Sequence, residues 1–196
     1  MKNLKLHTVL AFSRTLPVTM VKEMMWCEAI PWIVYNYGIE PPYTPSMERG
    51  IEVQRNLDLE KIAEKLGLPK PVKTSIYVED KGLGLHGVID IVAGSRRLCI
   101  AEVKAFKRRI RYSKHFIIQL KTYAVIAYRA LGPIEKAYLY MDGIIHRVVV
   151  REQTFIEVKH IVEKLWRITL SPEPPQVMRI PEKCSYCRYR RFCPIV

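Results

Sequence analysis

An α/β fold, a sheet flanked by helices, is what this sequence predicts, and three observations carry that prediction. The chain has 196 residues, 49% apolar and 26% charged, which is enough to bury a sizeable core and unlike a disordered tail. Its apolar pattern switches from helical spacing to strand-like runs near residue 72 and back to helical spacing near residue 114. Turn signals at Asp80 to Gly84 and at Gly94-Ser95 divide the strand-like part into short runs.

The elements follow in order. Residues Thr15 to Tyr37 read as one or two helices, interrupted where Pro31 removes a backbone donor. GIEPPYTPS is a rigid loop. Ser46 is placed to cap a helix running through MERGIEVQRNLDLEKIAEKL until Gly67 and Pro69 stop it. VKTSIYVED, LHGVIDIVAG and RLCIAEVKAF form a three-stranded meander. KHFIIQLKTYAVIAYRALG is a helix with Ile117, Leu120, Ala124 and Ala127 on one face and Gly132 at its end. Two more strands, EKAYLYMDG and IHRVVVRE, precede the helix TFIEVKHIVEKLWRITL, so the order is αβββαββα. The proline-rich SPEPPQVMRIPEK leads to a terminal cysteine group. A single domain over residues 1–196 accounts for all of this.

Charge narrows the function. Lys and Arg total 32 against 19 Asp and Glu, a formal +13, and a field of that sign favours a polyanion, either nucleic acid or a membrane surface. The uncharged run AIPWIVYNYGI has 11 residues and contains Pro31, too short and too broken to span a bilayer. No transmembrane helix or membrane partner is expected. The N-terminal MKNLKLHTVLAFSRTLP lacks a small-residue cleavage pattern and reads as mature, cytoplasmic protein.

In LHGVIDIVAG, Asp90 interrupts an apolar strand, a costly place for a charge without a partner. Glu102 and Lys104 lie two residues apart on the next strand and so share a face. With a turn near Arg96, Asp90 faces Glu102 with Cβ atoms roughly 4.5–5.5 Å apart. Two carboxylates that close suit Mg²⁺ or Mn²⁺, and a lysine about 7 Å along the strand can orient a metal-bound water or offset charge on a phosphorane. The alternative is a partly buried ion-pair cluster, because these residue types are common. The cysteines pose a second question: Cys184, Cys187 and Cys193 supply three soft ligands, whereas zinc and iron–sulfur sites need four. Ligand count leaves zinc and iron–sulfur equally open. Cys99, in a buried strand, reads as a small hydrophobe.

GVID, eleven residues, then EVK, followed by QLKTY on the next helix, resembles the PD-(D/E)xK nuclease superfamily in its RecB-like branch. The resemblance implies a restriction-endonuclease-like core with a mixed sheet. It implies Asp90, Glu102 and Lys104 as the catalytic set, and Gln119 and Tyr123 as a Q-x3-Y motif addressing DNA phosphates or the lysine. A lone N-terminal cysteine, this core and a terminal C-x2-C-x5-C-P together resemble the CRISPR-associated Cas family four exonucleases over about residues 20 to 194. That resemblance implies that Cys27 completes an iron–sulfur set with Cys184, Cys187 and Cys193, either 4Fe-4S or 2Fe-2S. The cluster would clasp segments of about 15–37 and 171–196 onto a nuclease core of about 46–170. It further implies an exonuclease on single-stranded DNA ends with 5′-to-3′ polarity, trimming new spacers beside the CRISPR integrase complex.

Two departures from the family pattern stand out. The family's G-x3-H metal ligand is here Gly50 followed by Gln54, whose amide oxygen is a weaker neutral ligand; Glu48 or Glu52 are its possible substitutes. Cys27 is followed by Glu28 and Ala29 in place of Pro-Arg. His86 reads as a strand residue. Two rivals share these features: a RecB-like repair nuclease, and a DNA-binding module with a degenerate site.

Overall fold

The computed structural model describes residues 14–104, 114–141 and 143–195. The N-terminal stretch, Ala105 and Phe106 at the end of the third expected strand, and Asp142 lie outside the described residues.

A short strand β1 (Leu16–Pro17) opens the order, followed by α1 (Thr19–Trp26), α2 (Ala29–Tyr37), α3 (Pro45–Arg55) and α4 (Leu59–Lys65). The meander is β2 (Val72–Asp80), β3 (Leu85–Ala93) and β4 (Leu98–Lys104). Then come α5 (Lys114–Leu131), β5 (Ile134–Met141), β6 (Ile144–Val149), α6 (Glu152–Thr169) and a short α7 (Pro181–Ser185). The αβββαββα reading therefore holds for the core, and the differences sit at helix ends.

Pro31 does not break the N-terminal helices. It occupies the first turn of α2, where a backbone N–H has no intrahelical partner to lose. The break falls instead at Cys27, whose backbone is extended. Thr44, not Ser46, caps α3: its side chain accepts from the Met47 N–H at 3.3 Å, and Pro45 takes the first helical position. The long helix expected from Ser46 to Leu66 is two helices, because Asp58 accepts from the Lys61 N–H at 3.0 Å and starts a new one.

Among the described residues the sheet has six strands and is mixed: β2–β3, β3–β4 and β5–β6 are antiparallel, while β4–β5 and the short β1–β3 pair are parallel. The β4–α5–β5 unit is the crossover that a parallel pair requires. Helices cover both faces. On one, α1, α2, α5 and α6 bury the large cluster that includes Val21, Ile33, Leu120, Ile126 and Leu165. On the other, Ile62 and Ala63 of α4 close over Ile91, Ala101 and Val103. Helix α5 is buried almost all round, from Phe116 to Ala127, which is broader than the single stripe its sequence suggests.

The sheet forks at Asp90. Strand β3 pairs with β4 only through Ile91, Val92 and Ala93, and its first residues, Leu85 and His86, pair with β1 instead. The strands part between these pairings. At the same register Ser75 of β2 lies between the Thr74–Ile91 and Ile76–Ile89 pairs with φ 55°, a conformation uncommon for a side-chain-bearing residue. Side-chain alternation slips by one here: Leu85 and Ile89 face the large cluster before Asp90, and Val92 faces it after. The slip turns Asp90 toward the α5 side of the sheet.

Gly87 sits within this distorted strand, and a Cβ there would meet the Tyr123 ring at 2.7 Å. Gly87→Ala is therefore expected to push Tyr123 off α5's inner face at a cost of roughly 1–3 kcal/mol. A thermal melt checks this, and an unchanged midpoint would show that the ring moves freely.

Candidate active site and the terminal cysteines

The β3–β4 register runs Ile91–Ala101, Val92–Ile100, Ala93–Cys99, so Asp90 stands opposite Glu102 one step beyond the ladder, as the sequence suggests. Where the strands part, the Asp90 carboxylate takes over the ladder's role: its Oδ2 accepts the Val103 backbone N–H at 2.7 Å. Glu102 is 4% exposed. Its Oε1 accepts from Lys104 Nζ at 2.6 Å and from Gln119 Nε2 at 3.2 Å. Among the described residues, its Oε2 and the Oε1 of Gln119 are buried without a hydrogen-bond partner.

Charge in this cleft is compressed. Burial, with the Asp90 charge adding to it, pushes the Glu102 carboxyl up to about 7 even though Lys104 opposes the shift. Burial also raises Asp90, partly offset by the Val103 N–H and by Lys104. For Lys104, burial acts to lower the ammonium, but the Glu102 and Asp90 carboxylates outweigh it and hold the group raised. Tyr123, buried at 3% exposure, has its hydroxyl raised by burial and then by the same two carboxylates. Gln119 and Tyr123, one helical turn apart on α5, thus both face the pair.

The donor set fits a divalent cation: two carboxylates on adjacent strands, and an orphaned Glu102 oxygen that a cation would satisfy. Gln54 is not joined to them. Helix α3 has no buried residue, and among the described residues no hydrogen bond links the Gln54 side chain to either carboxylate. Among the described residues no group of three or more His, Cys, Asp or Glu is gathered as a ready-made ion site, so neither Glu48 nor Glu52 is drawn into one with Asp90 and Glu102. His86 is a strand residue: its Nδ1 lies 2.8 Å from Thr15 Oγ1 and its ring stacks on Tyr77. One residue the sequence does not single out is Lys22 of α1, whose positive charge reaches Glu102. Nothing in TMVKEMM marks it, because its proximity depends on how α1 lies against α5.

The cysteines converge without forming a ligand shell. Cys27, Cys184, Cys187 and Cys193 line one cavity of about 30 Å³ together with Ala29, Ile30, Ile33, Tyr189 and Arg190. All four are free thiols, and burial followed by the neighbouring cysteines raises Cys187. Four thiols from both ends of the chain around one small cavity are a donor set that suits a soft metal or an iron–sulfur cluster. Cys99 is buried in β4, away from that cavity.

A mixed sheet covered by helices on both faces, with an acidic pair and a lysine where two strands part, defines a nuclease-like α/β protein. The chain belongs to the PD-(D/E)XK nuclease superfamily, whose family model matches residues 36–194. It is Cas4-like: it is 27% identical over 179 residues to the CRISPR-associated exonuclease Cas4 of Thermoproteus tenax, covering 89% of this chain and 91% of that protein. Its fold is similar to the crystal structure of an alkaline exonuclease from Laribacter hongkongensis, with TM-score 0.54, 12% identity and coverage of 78% of this chain and 86% of that one. It is likewise similar to the crystal structure of SSO0001, with TM-score 0.53, 17% identity and coverage of 93% and 87%. Superfamily members generally use divalent metals. Among the described residues no helix is long and apolar enough to cross a membrane.

Proposed function

We propose that this chain is a divalent-metal-dependent exonuclease on single-stranded DNA ends, working 5′-to-3′ in CRISPR spacer acquisition beside the integrase complex. The observation that carries the nuclease reading is the Asp90–Glu102 pair at the sheet fork, with a buried, unpartnered Glu102 oxygen and Lys104 on the same strand face. The exonuclease activity and the CRISPR setting are supported by the likeness to the Thermoproteus tenax relative, and the 5′-to-3′ direction by the family resemblance of the sequence motifs.

Asp90 and Glu102 are the residues that would hold Mg²⁺ or Mn²⁺, which when bound supplies Lewis-acid polarisation of the phosphodiester and an activated water. Around it the chain's own groups have separable tasks. Gln119 and Lys104 fix the Glu102 carboxylate through Oε1, leaving Oε2 free to bind. Lys104 carries its positive charge at neutral pH, held by two carboxylates, and is suited to offset charge on the pentavalent phosphorus. Tyr123 closes the inner wall beside Gly87 and keeps water out of that side. Cys27, Cys184, Cys187 and Cys193, which share one small cavity, would hold an iron–sulfur cluster whose task would be to clasp the two chain segments.

The test is digestion of end-labelled single-stranded DNA by anaerobically purified protein, with Mn²⁺, with Mg²⁺ and with chelator. Metal-dependent loss of mononucleotides from the 5′ end is expected; binding without turnover in Mn²⁺ would make this a DNA-binding module. Gln54→His is expected to keep or raise Mn²⁺-dependent activity, because imidazole is a better metal ligand than an amide. A collapse of activity in a folded Gln54→His variant would give Gln54 a different task.

A further inference from the structure

A groove of about 400 Å³ runs between α1, the start of α5 and the C-terminal segment, lined among others by Lys22, Trp26, His115, Phe116 and Tyr186. Two of its rings face water, Tyr186 at 87% exposure and Trp26 at 40%, while Phe116 and Tyr189 form its buried floor. Neither degree of exposure is explained by core formation, and an apolar ring facing water is a standing cost.

Cations stand beside Trp26 and Phe116 in and at the edge of this groove. Lys183 Nζ lies 4.9 Å from the Trp26 ring centroid, and the His115 ring meets Trp26 edge-on at 6.2 Å. Lys22 sits 5.9 Å from the Phe116 ring centroid. Arg188 also lines the groove, stacked on Tyr43 and Tyr189 and donating to the Pro41 carbonyl at 2.6 Å. The carboxylate lining the groove is Glu23, 3.4 Å from Lys22. The groove also adjoins the cleavage site, because Lys104 stands 5.9 Å from the same Phe116 ring that Lys22 approaches.

Building on the nuclease reading, we propose that this groove seats the unpaired strand entering the active site, with Tyr186 and Trp26 as base-stacking platforms and Lys22 and Lys183 meeting phosphates. Open rings alternating with cations are what an unstacked polyanion recognises, since every base has a π-face and the backbone tracks positive charge. A duplex buries its base faces in its own stack and gains nothing from the rings. An apolar protein partner has no use for the lysines.

The experiment measures affinity, not turnover: fluorescence anisotropy of labelled oligo-dT and of a blunt duplex, with the full chain in chelator. Tyr186→Ala should weaken oligo-dT binding roughly 5- to 150-fold and change duplex binding less than about 2-fold, while Tyr186→Phe keeps the parent affinity. Lys22→Gln and Lys183→Gln should each reduce the salt slope of oligo-dT binding by about 1. Parent-like oligo-dT binding by Tyr186→Ala, or equal losses on duplex and single strand, would overturn the groove. Tyr186 is almost wholly exposed, so this variant tests binding and not folding. With no metal present the assay can succeed if the protein never cleaves DNA, and it can fail while cleavage stands, so the two readings are separately at risk.

Discussion

Asp90→Asn is expected to lose at least about 10³-fold in single-strand cleavage, since a catalytic metal contributes several kcal/mol and each decade of rate is about 1.36 kcal/mol. Asn is the informative replacement. Its amide oxygen can still accept the Val103 N–H that Asp90 Oδ2 accepts at 2.7 Å, so the fork keeps its geometry and only the charge is lost. Asp90→Ala would also orphan that N–H in a part-buried position, at about 1–3 kcal/mol, and would mix folding with chemistry. Glu102→Gln should behave like Asp90→Asn in activity but with a larger stability penalty, because Lys104 would then be a buried ammonium facing only the Asp90 carboxylate. Two measurements decide it: the Mn²⁺-dependent rate on end-labelled DNA, and Mn²⁺ binding by calorimetry. Asp90→Asn that cleaves at the parent rate would remove Asp90 from the metal site, whatever its register.

Much of this site was legible in the sequence because strand geometry is local. Glu102 and Lys104 share a face by the period of two, and one turn near Arg96 is enough to set Asp90 opposite Glu102. Gln119 and Tyr123 were placed together by a single helical turn. What the sequence could not show is the fork. The slip in β3 alternation coincides with the left-handed Ser75 in a neighbouring strand and with β1 arriving from 69 positions earlier to pair with Leu85, both of them non-local features. Lys22 was invisible for the same reason, since only tertiary contact brings α1 to α5. The N-terminal helix break was misplaced because Pro31 is disruptive only in a helix interior, and its position relative to the helix start rests on where Cys27 ends α1. Gln54 matches a sequence spacing on α3, a helix with no buried residue, and it is the Gln54→His variant that tests whether this position reaches the metal.

Loss of the terminal clasp is the second large effect, and it should appear in stability and not first in chemistry. Cys27 and Cys184 are separated by 156 intervening residues, so tying them to one centre closes a very long loop. By the loop-entropy relation used for cross-links, that closure is worth on the order of 5 kcal/mol, comparable to the whole stability of a modest domain. The structure adds a reason the effect should spread inward from the ends. The cavity that the four cysteines share is also walled by Ile30 and Ile33 of α2, and α2 lies in the main cluster beside Leu165 and Trp166 of α6. Removing the centre would therefore loosen α1, α2 and the terminal segment together, while the Asp90–Glu102 fork, held by β2 to β5, would respond only through α1. Anaerobically purified protein is expected to be brown, with iron and sulfide in the cluster's ratio. Cys184→Ala and Cys187→Ala should be colourless, melt at least about 10 °C lower and aggregate sooner, since 1 kcal/mol moves a domain of this size by roughly 2–4 °C. Colourless parent protein containing zinc would replace the iron–sulfur cluster but keep the clasp. Cys27→Ala that retained full colour and the parent melting point would take the N-terminal segment out of the centre, and with it the argument that the two chain ends are tied.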